Sequence, residues 1–196
     1  GGHGDMGSNY SRGGWVSINW KPAPKIAVSL NPDYQYFKNG AQWVANIADP
    51  EAKATYGTRN VFARLKQETF SAGVRVNWTF TPTLSLQTYF QPLIASGKYT
   101  DYGDLARPRS YEFVRYGAGV LPAGVSNKDF SFKSIRGNAV LRWEVRPGSA
   151  AYFVWTQSRE QSDPTGEFNF GRSFSTLMDA HADNIFMVKF AFGWSS

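Results

Sequence analysis

Few side chains in this 196-residue sequence are spaced for covalent or proton-transfer chemistry. There are 2 His and 0 Cys, which excludes thiol nucleophiles, cysteine-held metals and disulfides and leaves almost no material for a histidine triad. Asp179, His181 and Asp183 alternate and could converge on a cation, although the same spacing is ordinary in a solvated loop, which is the expectation here. His3 lies in a glycine-rich stretch and reads as a linker residue. Asp101, Asp104 and Glu112 are acids with no partner fixed by spacing for acid–base work, and solvation explains them. The stretch GAGVLPAG at 117–124 has glycines without the spacing of a phosphate loop, and no GxSxG, Walker or GxGxxG string is present. The sequence predicts no enzyme, no cofactor and no metal site.

More informative is a set of polar residues that recur at every second position: Arg75 and Asn77, Gln87, then Arg136, Asn138, Arg142 and Glu144. Two readings are open for them. They could form an internal ladder of salt bridges and hydrogen bonds, or they could line a path for a polar or anionic solute such as an oligosaccharide, since rings of arginine favour anions.

The segments that must position these residues are strands. From Phe70 to Phe80 the positions Phe70, Ala72, Val74, Val76, Trp78 and Phe80 are apolar or small, and those between are polar or glycine. That is the period of a half-buried strand. After a turn at Pro82 the alternation returns with Leu84, Leu86 and Phe90 against Ser85, Gln87 and Gln91, so residues 69–91 form a hairpin with one apolar and one polar face. Its first arm reaches the roughly 9 to 11 residues that a tilted transmembrane strand needs.

The same pattern recurs along the chain. Val16, Ile18 and Trp20 alternate before KPAPK, and Ile26, Val28 and Leu30 resume after it. Ile135, Gly137, Ala139, Leu141, Trp143 and Val145 precede the turn at Pro147. Residues 150–159 return from that turn, with Tyr152/Val154 and Phe153/Trp155 both apolar, so the outward face of this strand is ambiguous. Seven spanning strands are expected in total.

Composition agrees. Aromatics are 16% of the chain with 19 Gly and only 3 Met, a balance that suits strands and turns. No run of about 18 apolar residues exists, which excludes a spanning helix but not a barrel, and the mean hydropathy of -0.40 fits the alternating strands of one. The net charge of +6 is scattered rather than grouped, so nucleic acid is not an expected partner.

Connections sort into two kinds. Short proline turns (Pro22/Pro24, Pro82, Pro147) alternate with long loops expected at 39–60, 97–128 and 160–184, the asymmetry of bacterial outer-membrane barrels. Residues 1–14 read as a flexible glycine-rich lead-in and 15–196 as the barrel segment. Trp15, Trp20, Trp78, Phe80, Trp143 and Trp194 are the expected interfacial aromatic girdle. Phe186, Val188, Phe190, Phe192 and Trp194 alternate at the end of the chain like the C-terminal signal read by the outer-membrane assembly machinery.

Single-chain bacterial barrels generally have an even strand number and no free edge, and the chain opens at Gly1 with no initiator Met or signal peptide. The expectation is therefore a processed or partial chain: the C-terminal part of a larger barrel, or a barrel completed by another chain.

The segments ATYGTRNVFARLKQETFSAGVRVNWTFTPTLSLQTYFQP, LARPRSYEFVRYG, SFKSIRGNAVLRWEVRPGSAAYFVWTQSR and NIFMVKFAFGW resemble the C-terminal region of the family called domain of unknown function 5916. NWTFTPTLSLQ and RGNAVLRWE are the most specific strings. The resemblance covers nearly everything after about residue 13. It implies large bacterial envelope proteins in which a module like carbohydrate-binding family nine precedes an outer-membrane barrel, and it carries no ligand or catalytic residue onto this chain.

The combined expectation is an all-β, antiparallel up-and-down transmembrane barrel segment of the bacterial outer membrane. Its expected partners are membrane lipid, the assembly machinery, and further envelope subunits or an N-terminal part of the same protein. Binding or passage of a polar solute such as a carbohydrate is the expected role. A non-conducting anchor or complex subunit is the first alternative. The second is a soluble β-sandwich that binds sugar, in which Val74, Val76 and Trp78 would face another sheet.

Overall fold

The computed structural model describes residues 3–4 and 8–193. It is all-β apart from one helix and one short 3-10 turn. The strands are β1 (His3–Gly4), β2 (Tyr10–Trp15), β3 (Ile18–Ala23), β4 (Ile26–Ala48), β5 (Thr58–Thr81), β6 (Leu84–Leu105), β7 (Phe113–Arg115), β8 (Phe130–Arg146), β9 (Ser149–Asp163) and β10 (Ala182–Ala191). Helix α1 spans Phe170–Asp179. All pairings are antiparallel.

The main path runs β10-β9-β8-β6-β5-β4-β2, an up-and-down order in which neighbours in sequence are neighbours in space. β2 and β3 share the last lane, pairing with the far and near parts of β4 respectively. The expected seven lanes are therefore present. Among the described residues β10 and the β2/β3 lane do not pair, so the sheet has two open edges. No described helix is long and apolar enough to cross a membrane, which says nothing of strands.

Three two-residue turns at 24–25, 82–83 and 147–148 each begin with a proline, whose fixed φ and missing N–H suit a turn but not a ladder. Gly148 follows Pro147 at φ 76°, a conformation that glycine adopts without strain. The turns lie side by side: Thr79 N donates to Lys25 O at 2.8 Å and Glu144 N to Thr83 O at 2.7 Å. They define a turn end of the sheet, and the long connections define a loop end.

Four expectations are corrected at the loop end and the start of the chain. Residues 10–14, expected in a flexible lead-in, form β2 on the extension of β4. The 39–60 loop is reduced to residues 49–57, because β4 and β5 stay paired as far as Ala48 and Thr58. β6 likewise reaches Leu105, and 160–184 contains α1. Strict alternation fades in these extensions, but backbone ladders do not need it. Bulges between Asn39 and Gln42, and between Trp43 and Ala45, absorb the broken pattern.

Burial in these extensions replaces the missing periodicity. Val44, Val61, Ala63 and Tyr102 form a small buried core at the loop end, with Tyr99, Tyr116 and Val125 packed against it. Among the described residues the remainder of the sheet has no second sheet against it: β2, β3 and β10 are exposed along nearly their whole length.

Candidate functional site

Register sorts the sheet into two faces. Directly paired residues share a face, so the apolar side can be followed across the lanes: Trp20 meets Val28, Val28 meets Val76, Val76 meets Thr88, Thr88 meets Ala139, Ala139 meets Trp155, and Trp155 meets Phe186. One row nearer the turns run Ile26, Trp78, Leu86, Leu141, Phe153 and Val188. The ambiguity of β9 is thereby resolved. Phe153 and Trp155 belong to the apolar face, while Tyr152 pairs with Arg142 and Val154 with Val140 on the other.

The opposite face carries all seven of the alternating polar residues. Arg75 pairs with Tyr89 and Tyr89 with Asn138; Asn77 pairs with Gln87; Gln91 pairs with Arg136; and Arg142 and Glu144 follow on the same strand with the same parity. Two adjoining hollows open on this side. One of about 430 Å³ is lined by Arg75, Asn77, Gln87, Tyr89 and Asn138, and one of about 500 Å³ by Asn19, Ser29, Asn31, Arg75, Tyr89 and Gln91.

The arginines of this face differ in their partners. Arg142 donates to Glu144 at 2.8 Å and Arg136 to Glu160 at 2.8 Å. Arg75, shared by both hollows, lies with its guanidinium carbon 5.3 Å from the Tyr89 ring centroid, and no carboxylate approaches it among the described residues within ion-pair distance. Unlike Arg136 and Arg142, Arg75 therefore faces the polar side without a carboxylate partner among the described residues. Tyr89 was not singled out by sequence; its position between Gln87 and Gln91 was the available signal.

At the loop end the same face is covered. β5 carries Arg75, Ala63, Val61 and Arg59 with one parity, and the chain from Tyr116 to Val125 packs over the last three. Arg59 donates to Tyr116 Oη at 2.7 Å and to Ala123 O at 3.0 Å, and approaches Asp49 at 3.2 Å and Asp104 at 3.8 Å. Tyr116 donates in turn to Asp104. Burial, with the hydrogen bond to the Asp104 carboxylate, pushes the Tyr116 phenol up to about 12.

The acids flagged for chemistry are placed separately. Asp101 holds Arg64 at 2.8 Å from a left-handed backbone at φ 52°, Glu112 holds Arg107 at 2.6 Å, and Asp104 belongs to the Arg59 network. His181 lies 3.6 Å from Asp183 with both side chains exposed. No group of three or more such side chains converges on a metal position among the described residues.

Of the aromatic set, Trp20, Trp78 and Trp143 share the apolar face in the rows nearest the turns, and Phe80 lies 4.5 Å from Trp78 between ring centroids. Trp15 departs from them. It pairs with Asp33, whose parity is that of the polar face and whose row is remote from the turns. Phe186, Val188 and Phe190 of the C-terminal pattern pair with Trp155, Phe153 and Ala151 on the apolar face, and Phe192 lies just beyond β10. Trp194, expected in both sets, lies outside the described residues.

A second aromatic level was missed. Trp155 Nε1 donates to Asn184 Oδ1 at 2.9 Å and Gln157 Nε2 to the same oxygen at 3.0 Å, so the apolar face ends on β9 and β10 in a tryptophan with a polar handle.

An open antiparallel sheet, apolar on one side and more polar on the other, is the class of structure that these residues define. The chain belongs to the family described as Domain of unknown function (DUF5916), whose model matches residues 7–192. No curated protein and no solved structure matches it.

Proposed function

We propose that this chain is a segment of a bacterial outer-membrane β-barrel. The apolar face meets lipid, and the face carrying Arg75, Asn77, Gln87 and Asn138 lines a hydrated lumen that binds or passes a polar solute. The observation that carries this is an apolar face continuous across seven lanes, with no second sheet among the described residues over Val74, Val76 and Trp78. A soluble sandwich needs such a partner to remove that row from water; in a barrel, lipid takes its place. The two open edges are then paired by further strands, from the same protein or another subunit. Lipid and the assembly machinery are the partners of this reading.

Planar-bilayer recording of the full-length protein tests it. Stable conductance with a preference for anions supports a solute path. Failure to insert by heat-modifiable migration returns the sheet to a water-soluble role.

One observation favours a second reading, a capped barrel that anchors envelope modules without conducting. The Tyr116–Val125 segment is tied across the loop end of the polar face by Arg59. Insertion without conductance, restored by loosening that segment, identifies this case.

A further inference from the structure

Helix α1 is only 10 residues long, yet its apolar residues cover more of its circumference than the sheet contacts. Ser173 and Leu177 are buried against the sheet, whereas Phe170, Phe174 and Met178, at i, i+4 and i+8, remain 49%, 41% and 37% exposed. Arg172, Ser175 and Asp179 occupy the opposite arc. A helix that only patched the sheet would need Leu177 and little else.

Its placement is specific. Phe170 meets Phe70 of β5 edge-on at 5.0 Å between ring centroids, and Arg159 of β9 donates to the carbonyls of Met178 and Ala180 at the other end. Phe70 and Arg159 both have the parity of the apolar face. From β5 to β9 is three strand spacings, about 14 Å, and ten helical residues span about 15 Å. The helix therefore crosses the strands on the apolar side instead of following them.

Its level is fixed as well. Along β9 the apolar face runs from Ala151 to Trp155, turns polar at Gln157, and reaches the helix at Arg159. Eight residues of tilted strand rise about 20 Å, close to the apolar band of about 25 Å of an outer-membrane barrel. The helix thus lies where hydrocarbon would give way to headgroups, directly beyond the Trp155–Asn184 pair.

We propose that α1 is an in-plane interfacial helix. Phe170, Phe174 and Met178 enter the lipid at the acyl–headgroup boundary on the loop side, and the polar arc faces water. The continuity of this stripe with the apolar face names bilayer lipid as the occupant. The proposal rests on the lipid-facing reading given above and adds a second, loop-borne contact that sets the depth of the sheet.

Because the chain contains no cysteine, single cysteines can carry spin labels in the full-length protein, with any cysteine elsewhere in it replaced. Labels at Phe174→Cys, Ser175→Cys and Val76→Cys are compared in phosphatidylcholine–phosphatidylglycerol vesicles by collision with oxygen and with a water-soluble nickel chelate. The expected result is oxygen-dominated collision at positions 76 and 174 and nickel-dominated collision at 175. Oxygen-dominated collision at 76 with nickel-dominated collision at 174 overturns the helix proposal and leaves the barrel reading intact; it would mean that protein or water covers the stripe. Nickel-dominated collision at 76 overturns both. Met178→Cys is the replicate should labelling at 174 prevent folding.

Discussion

Arg59 and Tyr116, separated by 57 positions in sequence, meet at 2.7 Å, and Tyr116 passes the contact on to Asp104. One cation thus holds two carboxylates and a phenol across the loop end of the polar face. Tyr116→Phe removes the bridge and is expected to cost about 1 kcal/mol. In bilayers it should raise conductance if the segment caps a lumen; unchanged conductance at unchanged expression would assign the network to stability alone.

The same phenol gives a pH dependence. Its proton is held up to about 12 in the folded protein against 10.0 for an ordinary tyrosine, chiefly through burial and next through Asp104. The raised value means that the contribution to stability is complete below about pH 10 and is lost as pH rises through about 12. Limited proteolysis of residues 106–129 should therefore accelerate over that interval in the native chain and not in Tyr116→Phe.

Lys133 is 3% exposed and reaches Asp163 at 2.5 Å beneath the α1 segment. Burial alone would raise the Asp163 carboxyl, but the hydrogen bonds from Lys133 and Thr165 outweigh it and bring it to about 2. Its stabilisation is present above the ordinary value of 3.8 and is lost as pH falls through about 2. Asp163→Asn leaves the lysine buried without its counter-charge and should cost about 3 kcal/mol. Urea unfolding of the variant, and of Lys133→Met combined with Asp163→Asn, checks this; the double variant is expected to recover most of the loss.

Arg75 and Arg142 should differ although both face the polar side. Arg142 is matched by Glu144 at 2.8 Å, whereas Arg75 has the Tyr89 ring. Arg75→Gln is expected to reduce anion preference in reversal-potential measurements several-fold more than Arg142→Gln. Equal effects would place the selective charge elsewhere.

Gly137 is a close-approach position. A Cβ there would fall 2.3 Å from the Phe90 ring and 3.2 Å from the Tyr89 carbonyl. The ring could swing away, but it also packs edge-on against Trp155 at 6.4 Å between centroids, so Gly137→Ala should cost about 1 to 3 kcal/mol. A heat-modifiability midpoint equal to that of the native chain would show that the ring moves freely.

The lanes and turns were legible because period-two alternation and proline placement are local signals. Phe70 to Phe80 and its hairpin partner are found in the register that the pattern implies, and so are all seven polar-face residues. The extensions were not legible. Residues 39–48 and 97–105 lose alternation because bulges shift the parity of β4 and β6 there, and Val44 and Tyr102 are buried by partners distant in sequence. Trp15 was misplaced although the alternation of Val16, Ile18 and Trp20 sets it on the other face: β2 and β3 keep one register on β4, with Trp15 opposite Asp33 and Ile18 opposite Leu30, so odd positions take the polar side in both. Arg59 and Tyr116 left no local trace, since each looks like an ordinary loop residue until the fold joins them.

Strand lengths carry a last consequence. β5 has 24 residues and β10 has 10, a difference of roughly 45 Å of extended chain, and because the turns are aligned the whole difference appears at one end. The sheet is a parapet that descends like a ramp from β4–β6 to β10. In the barrel reading proposed above, a large molecule arriving from that end would be screened on the tall flank and would meet the hollows around Arg75 from the low one, so that access would be sideways and polarised.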